Sequence, residues 1–213
     1  MAVWQPAPPA PDLLAVPDPP TRLARADDAV QAALEARRSE RTFAPGHLGW
    51  DVVGRVLSGL SGVGSRRYVP SAGALYPLET FVLLRRVAGP LPRCAARYLP
   101  VEHALVPVAD LPDDAALGRL LDPTGDPGCP MVVVFALRTA QMVAKYGERG
   151  GRFALIEVGA AAQNIGLRAA HEGLAGCLLG AVDESTLGDL LCAGRSPSVR
   201  VALAYALGKR PGG

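Results

Sequence analysis

The side chains most suited to chemistry gather in a few short stretches of this 213-residue chain. Residues 37–42, Arg-Arg-Ser-Glu-Arg-Thr, place three arginines and two hydroxyls within six positions. Guanidinium groups bind phosphate through paired N–H donors and a hydroxyl adds a short one, so the run can cradle an anion. It can equally be a solvated basic helix end, where cations complement the helix dipole. A second stretch, Pro70-Ser71-Ala72-Gly73-Ala74, is small enough for a planar ligand to approach its backbone amides, or it is an ordinary loop. A third, Lys145 to Gly151, is a polar, glycine-rich approach to the most apolar helix of the chain.

The elements that must position these stretches follow from periodicity. A first helix over Asp28 to Arg38, with Val30, Ala33, Leu34 and Arg37 on one side, delivers the arginines. Asp51 is expected to cap a second helix reaching Leu60, ahead of a long glycine- and hydroxyl-rich loop. Leu78 to Arg86 reads as a strand, Arg97-Tyr98 and His103 to Val108 as short strands, and Pro112 to Leu121 as a helix. Asp122 to Gly128 is a turn-rich break, and Pro130 to Arg138 is a continuous apolar run that predicts a strand buried on both faces. The chain is organised around Lys145 to Gly173. From Arg152 onward its apolar residues cover nearly every angle of a helical wheel, which predicts burial all round. Gly159 and Gly166 suggest the close approach of a neighbouring backbone, such as a partner subunit. Arg152, Glu157, Gln163, Asn164 and Arg168 interrupt the run of roughly 18 apolar residues that a membrane span needs. Leu174 to Val182 and Ser198 to Leu207 read as strands, with Asp183 capping a helix to Cys192 between them. The interleaving indicates α+β or α/β, without the glycine signatures of dinucleotide binding or of a nucleophile elbow.

Composition narrows the setting. A 20% charged fraction and net charge of +2 give no case for nucleic acid or an anionic membrane as partner. Seven prolines within residues 1–26 mark an arm, which leaves residues 27–213 as one domain. Cys94, Cys129, Cys177 and Cys192 are dispersed without a CxxC pair, which reads as reduced thiols in a cytoplasmic protein with no metal site. The N-terminus shows no basic and apolar succession typical of a secretory signal.

Taken together, RRSERTF at 37–43, PSAGALYPLE at 70–79, KYGERGGRF at 145–153 and E-VGAAAQN at 157–164 resemble the nitroreductase-like flavoproteins. More narrowly they are similar to the azoline dehydrogenases of the SagB type, which oxidise thiazoline or oxazoline rings to thiazole or oxazole. The resemblance spans about residues 28–210. It implies an α+β fold, a mixed and mainly antiparallel sheet flanked by helices, built as an intertwined homodimer with FMN at the interface. Arg37, Arg38, Ser39 and Arg41 would hold the FMN phosphate, with Lys209 and Arg210 as further ligands. Pro70, Ser71 and Gly73 would meet the flavin from the other subunit, and Gly180 with Ala181 would offer backbone donors near N5.

Aromatising an azoline removes a ring proton as well as a hydride, and Lys145-Tyr146 is the expected device for the proton. A phenol of ordinary pKa near ~10 is mostly protonated at neutral pH, but an adjacent ammonium favours its phenolate. Tyr146 would then be the base and Lys145 its electrostatic partner. Adjacent residues diverge in a regular helix, so both face one ring only in a loop or at a helix end, which Gly147, Gly150 and Gly151 permit. The plain alternative is an exposed pair ahead of a helix. Glu157, Gln163 and Asn164 have an equally plain use as buried hydrogen-bonding groups. The substrate would be carried on a peptide-synthetase carrier protein or a ribosomal precursor peptide, with a synthetase or cyclodehydratase as partner. A general nicotinamide-dependent nitro or flavin reductase is the competing enzyme, and a flavin-free scaffold for a cyclodehydratase the competing non-enzyme.

Overall fold

The computed structural model describes residues 26–124, 126–192 and 199–212, so all of the arm expected at residues 1–26 except Ala26, and Ser198, lie outside the described residues. Six strands, β1 (Leu78–Leu84), β2 (Cys94–Leu99), β3 (Ala104–Asp110), β4 (Met131–Arg138), β5 (Leu174–Leu179) and β6 (Val199–Lys209), form one antiparallel sheet. Their order is β3-β2-β1-β4-β6-β5, which places β4 in the interior and β5 on an edge. Met131 to Leu137 are all buried, as a continuous apolar run without alternation requires. Register then sorts side chains by face. Val82, Val133 and Tyr205 align on one side, and Leu83, Val132 and Ala206 on the other. The expected parallel component is confined to short pairings, Leu48–Gly49 with Val87–Ala88 and Ser39 with Gly176.

Helices α2 (Trp50–Leu57) and α5 (Arg149–His171) cover the Val133 face, with α1 (Ala29–Ala36) lying against α5 and α4 (Ala140–Tyr146) leading into it. Helices α3 (Asp114–Leu121) and α6 (Glu184–Cys192) cover the other face. Asp28, Asp113 and Asp183 each accept a backbone N–H of the first turn, at 2.9, 2.7 and 2.9 Å, and so fix where α1, α3 and α6 begin. Asp51 does not cap α2. Gly49 holds that position, and Asp51 instead pairs with Arg55 one turn on, at 2.9 Å. Cys94, Cys129 and Cys177 are free and buried, while the side chain of Cys192 lies outside the described residues. Among the described residues no helix is long and apolar enough to cross a membrane.

Within one chain α5 is not buried all round. Ala154, Val158, Ala161, Ile165 and Ala169 pack on the sheet, but Leu155 and Ile156 are 57% and 67% exposed. A helix on one face of a sheet buries one stripe, and apolarity on the opposite stripe does not bring a second layer of the same chain. The polar Glu157, on the packed side, is only 2% exposed. The two glycines also differ. A Cβ at Gly159 would enter open space, whereas one at Gly166 would lie 3.0 Å from the Tyr205 hydroxyl and 3.5 Å from Arg37 Cδ. Gly166 therefore makes room for this chain's own sheet and arginine segment, not for a partner's backbone.

Candidate active site

The arginine segment is placed by the free edge of β5. Ser39 pairs with Gly176, and the Glu40 N–H donates to the Gly176 carbonyl at 3.0 Å, so the edge strand's exposed backbone captures residues 39–40. Further along, the Ala44 N–H donates to Lys209 O at 3.0 Å, and Phe43 seats where a Cβ on Gly208 would come within 2.8 Å of its ring. These contacts bring residues 37–44 beside the end of β6, so Arg37, Ser39, Lys209 and Arg210 share one region.

The arginines then divide their work. Arg37 Nη1 lies 3.4 Å from Ser39 Oγ, and its charge offsets part of the upward shift that burial imposes on the Tyr205 phenol. Arg38 closes α1 by donating to the carbonyls of Glu35 and, at 2.9 Å, Arg37. Arg210 Nη2 donates to Ala36 O at 2.9 Å, while its buried Nε has no hydrogen-bond partner among the described residues and sits 3.6 Å from Glu40 Oε1. Arg41 lines a separate cavity of about 230 Å³ with Phe43, Asp122, Asp126 and Cys177, on the α3 and α6 side of the sheet. Arg37 and Arg210 thus remain the cations placed for an anion, and the unpartnered Arg210 Nε is a donor that a phosphate oxygen would satisfy.

Lys145 and Tyr146 occupy the last turn of α4, where Gly147 at φ +59° ends the helix. Lys145 Nζ stands 5.5 Å from the centroid of the Tyr146 ring, whose other edge meets Phe153 of α5 in a T-shaped contact at 5.2 Å. Both tips reach Gly73. A Cβ there would collide with the Tyr146 hydroxyl and fall 2.6 Å from Lys145 Nζ. Pro70 to Ala74 form a tight turn in which the Ala74 and Leu75 amides are taken up by Ser71 O and Ala72 O, so these two are not free for a ligand. Gly73, Ala74 and Tyr76 all adopt positive φ, at +61°, +53° and +47°. For Ala and Tyr that conformation costs about 1–2 kcal/mol each. Ser71 Oγ offsets it by accepting the Tyr76 N–H at 2.9 Å.

Gly180 and Ala181 follow β5 as an exposed connection to α6. Gly180 is four positions beyond Gly176, so about 13 Å lies between the arginine segment and these amides. The arginine segment meets α5 near Gly166, whereas the Gly73 loop meets it near Glu157, nine residues earlier. That spacing is about 13 Å of helix axis, and one chain keeps the two groups apart.

The model of the nitroreductase family matches residues 34–209. The chain belongs to the nitroreductase family. Family membership places it in an oxidoreductase class. MJ1384 of Methanocaldococcus jannaschii, a protein assigned to the nitroreductases, is 32% identical over 167 residues, 76% of this chain and 83% of its own. Solved nitroreductase-fold structures agree with the architecture. A Ralstonia eutropha protein described as a nitroreductase superposes with a TM-score of 0.70 at 22% identity, covering 91% of this chain and 89% of its own. The Escherichia coli microcin synthetase McbBCD, bound to truncated pro-MccB17, gives 0.72 at 23% identity over 94% of this chain and 79% of the matched chain. The Vibrio harveyi NADPH:FMN oxidoreductase gives 0.57 at 15% identity over 85% of this chain and 69% of its own.

Within this nitroreductase-family chain, Tyr205 and Arg67 stand beside the expected site residues although no motif contains them. Tyr205 fills the space that Gly166 leaves, and Arg67 lies over the Tyr76 ring at 5.7 Å. Tyr205 carried a signal as the one polar tip in the apolar run of residues 201–207. Arg67, in a loop with Arg66 beside it, carried none. Asn164 fulfils its plain expectation, donating to Gly59 O at 3.0 Å, and Gln163 is exposed.

Proposed function

We propose that this protein is an FMN-dependent dehydrogenase that oxidises a peptidyl thiazoline or oxazoline to the aromatic azole, working as a homodimer in the cytoplasm. The observation that carries the reading is the convergence of Lys145 and Tyr146 on Gly73. An ordinary flavin reductase needs only an acceptor brought near the reduced cofactor, whereas azoline aromatisation needs a base beside the ring. As the phenolate, which Lys145 Nζ would stabilise, Tyr146 Oη would take the ring proton and become the neutral phenol, a contribution of about 10²- to 10⁴-fold. Bound FMN would supply the two-electron acceptor for the hydride.

Arg37, Ser39, Lys209 and Arg210 would hold the phosphate, with Arg38 and Arg41 supporting the segment from α1 and from the opposite face. Gly180 and Ala181 would offer amides further along β5. The second subunit would supply Pro70, Ser71 and Gly73, and with them Lys145 and Tyr146. The exposed apolar Leu155 and Ile156 on α5 and Val30 and Leu34 on α1 support such an interface. The likeness to a microcin synthetase holding a pro-peptide supports a peptide substrate, delivered by a precursor or a carrier protein with a cyclodehydratase or synthetase as partner.

A visible spectrum of the purified protein followed by anaerobic addition of a peptidyl thiazoline tests the reading. A flavin spectrum bleached by the thiazoline is expected. A flavin bleached by NAD(P)H but not by azolines would move the protein to the general nitro and flavin reductases, a reading that the MJ1384 match favours.

A further inference from the structure

A cavity of about 200 Å³ lies between the Arg67 to Leu78 loop and strands β1 and β2, against Glu157 of α5. Several of its charged walls satisfy one another. Arg97 and Arg138 each place an Nη2 on the Glu79 carboxylate, at 2.8 and 2.5 Å. Two polar atoms are left over. Glu157 Oε2 and Arg67 Nη1 are both buried and without a hydrogen-bond partner among the described residues. Leaving such a group unpartnered costs about 1–3 kcal/mol, and more when it is charged. Burial raises the Glu157 pKa above its ordinary 4.5, and the Ser71 hydroxyl and Leu78 amide offset only part of that rise.

The cavity adjoins the proposed reaction site. Phe153, which contacts the Tyr146 ring, is one turn before Glu157 on the same face of α5, so the orphaned carboxylate is about 6 Å along the helix from that contact. The space is below the ~300 Å³ of a pocket for a whole small-molecule ligand, so it suits a fragment and not a flavin. A carboxylate group would satisfy Arg67 and be repelled by Glu157, and an ammonium would do the reverse. An amide satisfies both, because its N–H donates to the carboxylate while its carbonyl accepts from the guanidinium.

We propose that this cavity binds a peptide amide of the substrate, the one flanking the ring that is oxidised at Tyr146. The proposal rests on the azoline reading for the identity of the ring, but the site itself is defined by Glu157 and Arg67. A nicotinamide carries the same carboxamide chemistry and must be distinguished from it.

The test is calorimetric titration of the full-length flavoprotein with two capped thiazole peptides. One carries an amide after the ring, and the other an ester oxygen in place of that N–H. Wild type should bind the amide about tenfold or more tightly, equivalent to about 1.4 kcal/mol. Glu157→Gln should erase most of that preference, and Arg67→Met should weaken binding of both peptides, since both carry the carbonyl that Arg67 would hold. The near-isosteric Glu157→Gln decides the matter should Arg67→Met fold poorly. Equal affinity of wild type for amide and ester, or a preference unchanged in Glu157→Gln, overturns the proposal. So does a dependence on these residues for NADH against its 3-acetylpyridine analogue but not for the peptide pair. Binding is read without turnover. A peptide-amide preference in a protein whose flavin no thiazoline bleaches would remove the azoline activity and leave this site standing.

Discussion

Gly73 lies directly beneath the Tyr146 hydroxyl, which together with Lys145 Nζ occupies the space a Cβ at position 73 would take. The turn that carries Gly73 is itself held in strained, positive-φ geometry, so it cannot easily back away.

Gly73→Ala should slow flavin bleaching by a thiazoline by at least about tenfold, since a small misplacement of a base is enough for such a loss. Its φ of +61° adds about 1–2 kcal/mol of destabilisation in an otherwise folded protein. Stopped-flow bleaching alongside thermal melts separates the two effects. Wild-type bleaching in this variant would detach the loop from the reaction.

Tyr146→Phe keeps the ring against Phe153 and deletes the hydroxyl, so bound flavin and its reduction by dithionite should persist while azoline oxidation falls about 10²- to 10⁴-fold. Lys145→Met should act similarly and add little to Tyr146→Phe, because residues working as one unit are non-additive. Single-turnover kinetics of the double variant check this.

Arg37→Ala and Arg210→Ala should each lower flavin retention, and Arg38→Ala should act mainly on the stability of α1, whose last carbonyls it caps. The flavin released on denaturation should be FMN, near one per chain. Mass spectrometry and absorbance ratios of each variant decide, and recovery of FAD would contradict the assignment.

Ile156→Glu should convert a dimer to monomer and release flavin, since it puts a charge on the exposed apolar stripe of α5. Gly159→Leu, also on open surface, should weaken association, whereas Gly166→Leu should unfold the chain by driving into Tyr205. Sedimentation of the three variants distinguishes these outcomes, and an Ile156→Glu dimer that retains flavin would move the interface elsewhere.

Acid should destabilise the fold through Arg85, whose side chain is 1% exposed and held by Asp126 at 2.7 Å and Asp114 at 3.0 Å. Burial alone would raise the Asp126 pKa, but the Arg85 guanidinium brings it net below its ordinary 3.8. A depressed folded-state pKa gives stability that is present above pH 3.8 and lost as pH falls through the lower folded value. Asp126→Asn should cost about 1.5–3 kcal/mol near neutrality and flatten the acid limb of the melting curve. Glu157 has the opposite sign. Its pKa is raised above 4.5, so its ionisation removes stability as pH rises through the folded value, and Glu157→Gln should abolish that dependence.

Local periodicity and turn chemistry sufficed for much of this protein. The buried run of β4, the cap of Asp183 on α6 and the span of α3 were all legible, because each depends on residues within a few positions of one another. The four motif stretches were legible too, as types and spacings. Tertiary structure alone decided which side chains meet. It turned Arg38 into a helix cap, sent Arg41 to the opposite face of the sheet, and brought Gly73 to Tyr146 across 73 positions of chain. It also buried Glu157 while exposing Leu155 and Ile156. A helical wheel records apolarity by angle, but which angle is covered depends on the position of the sheet, and that is set by strand pairings distant in the chain.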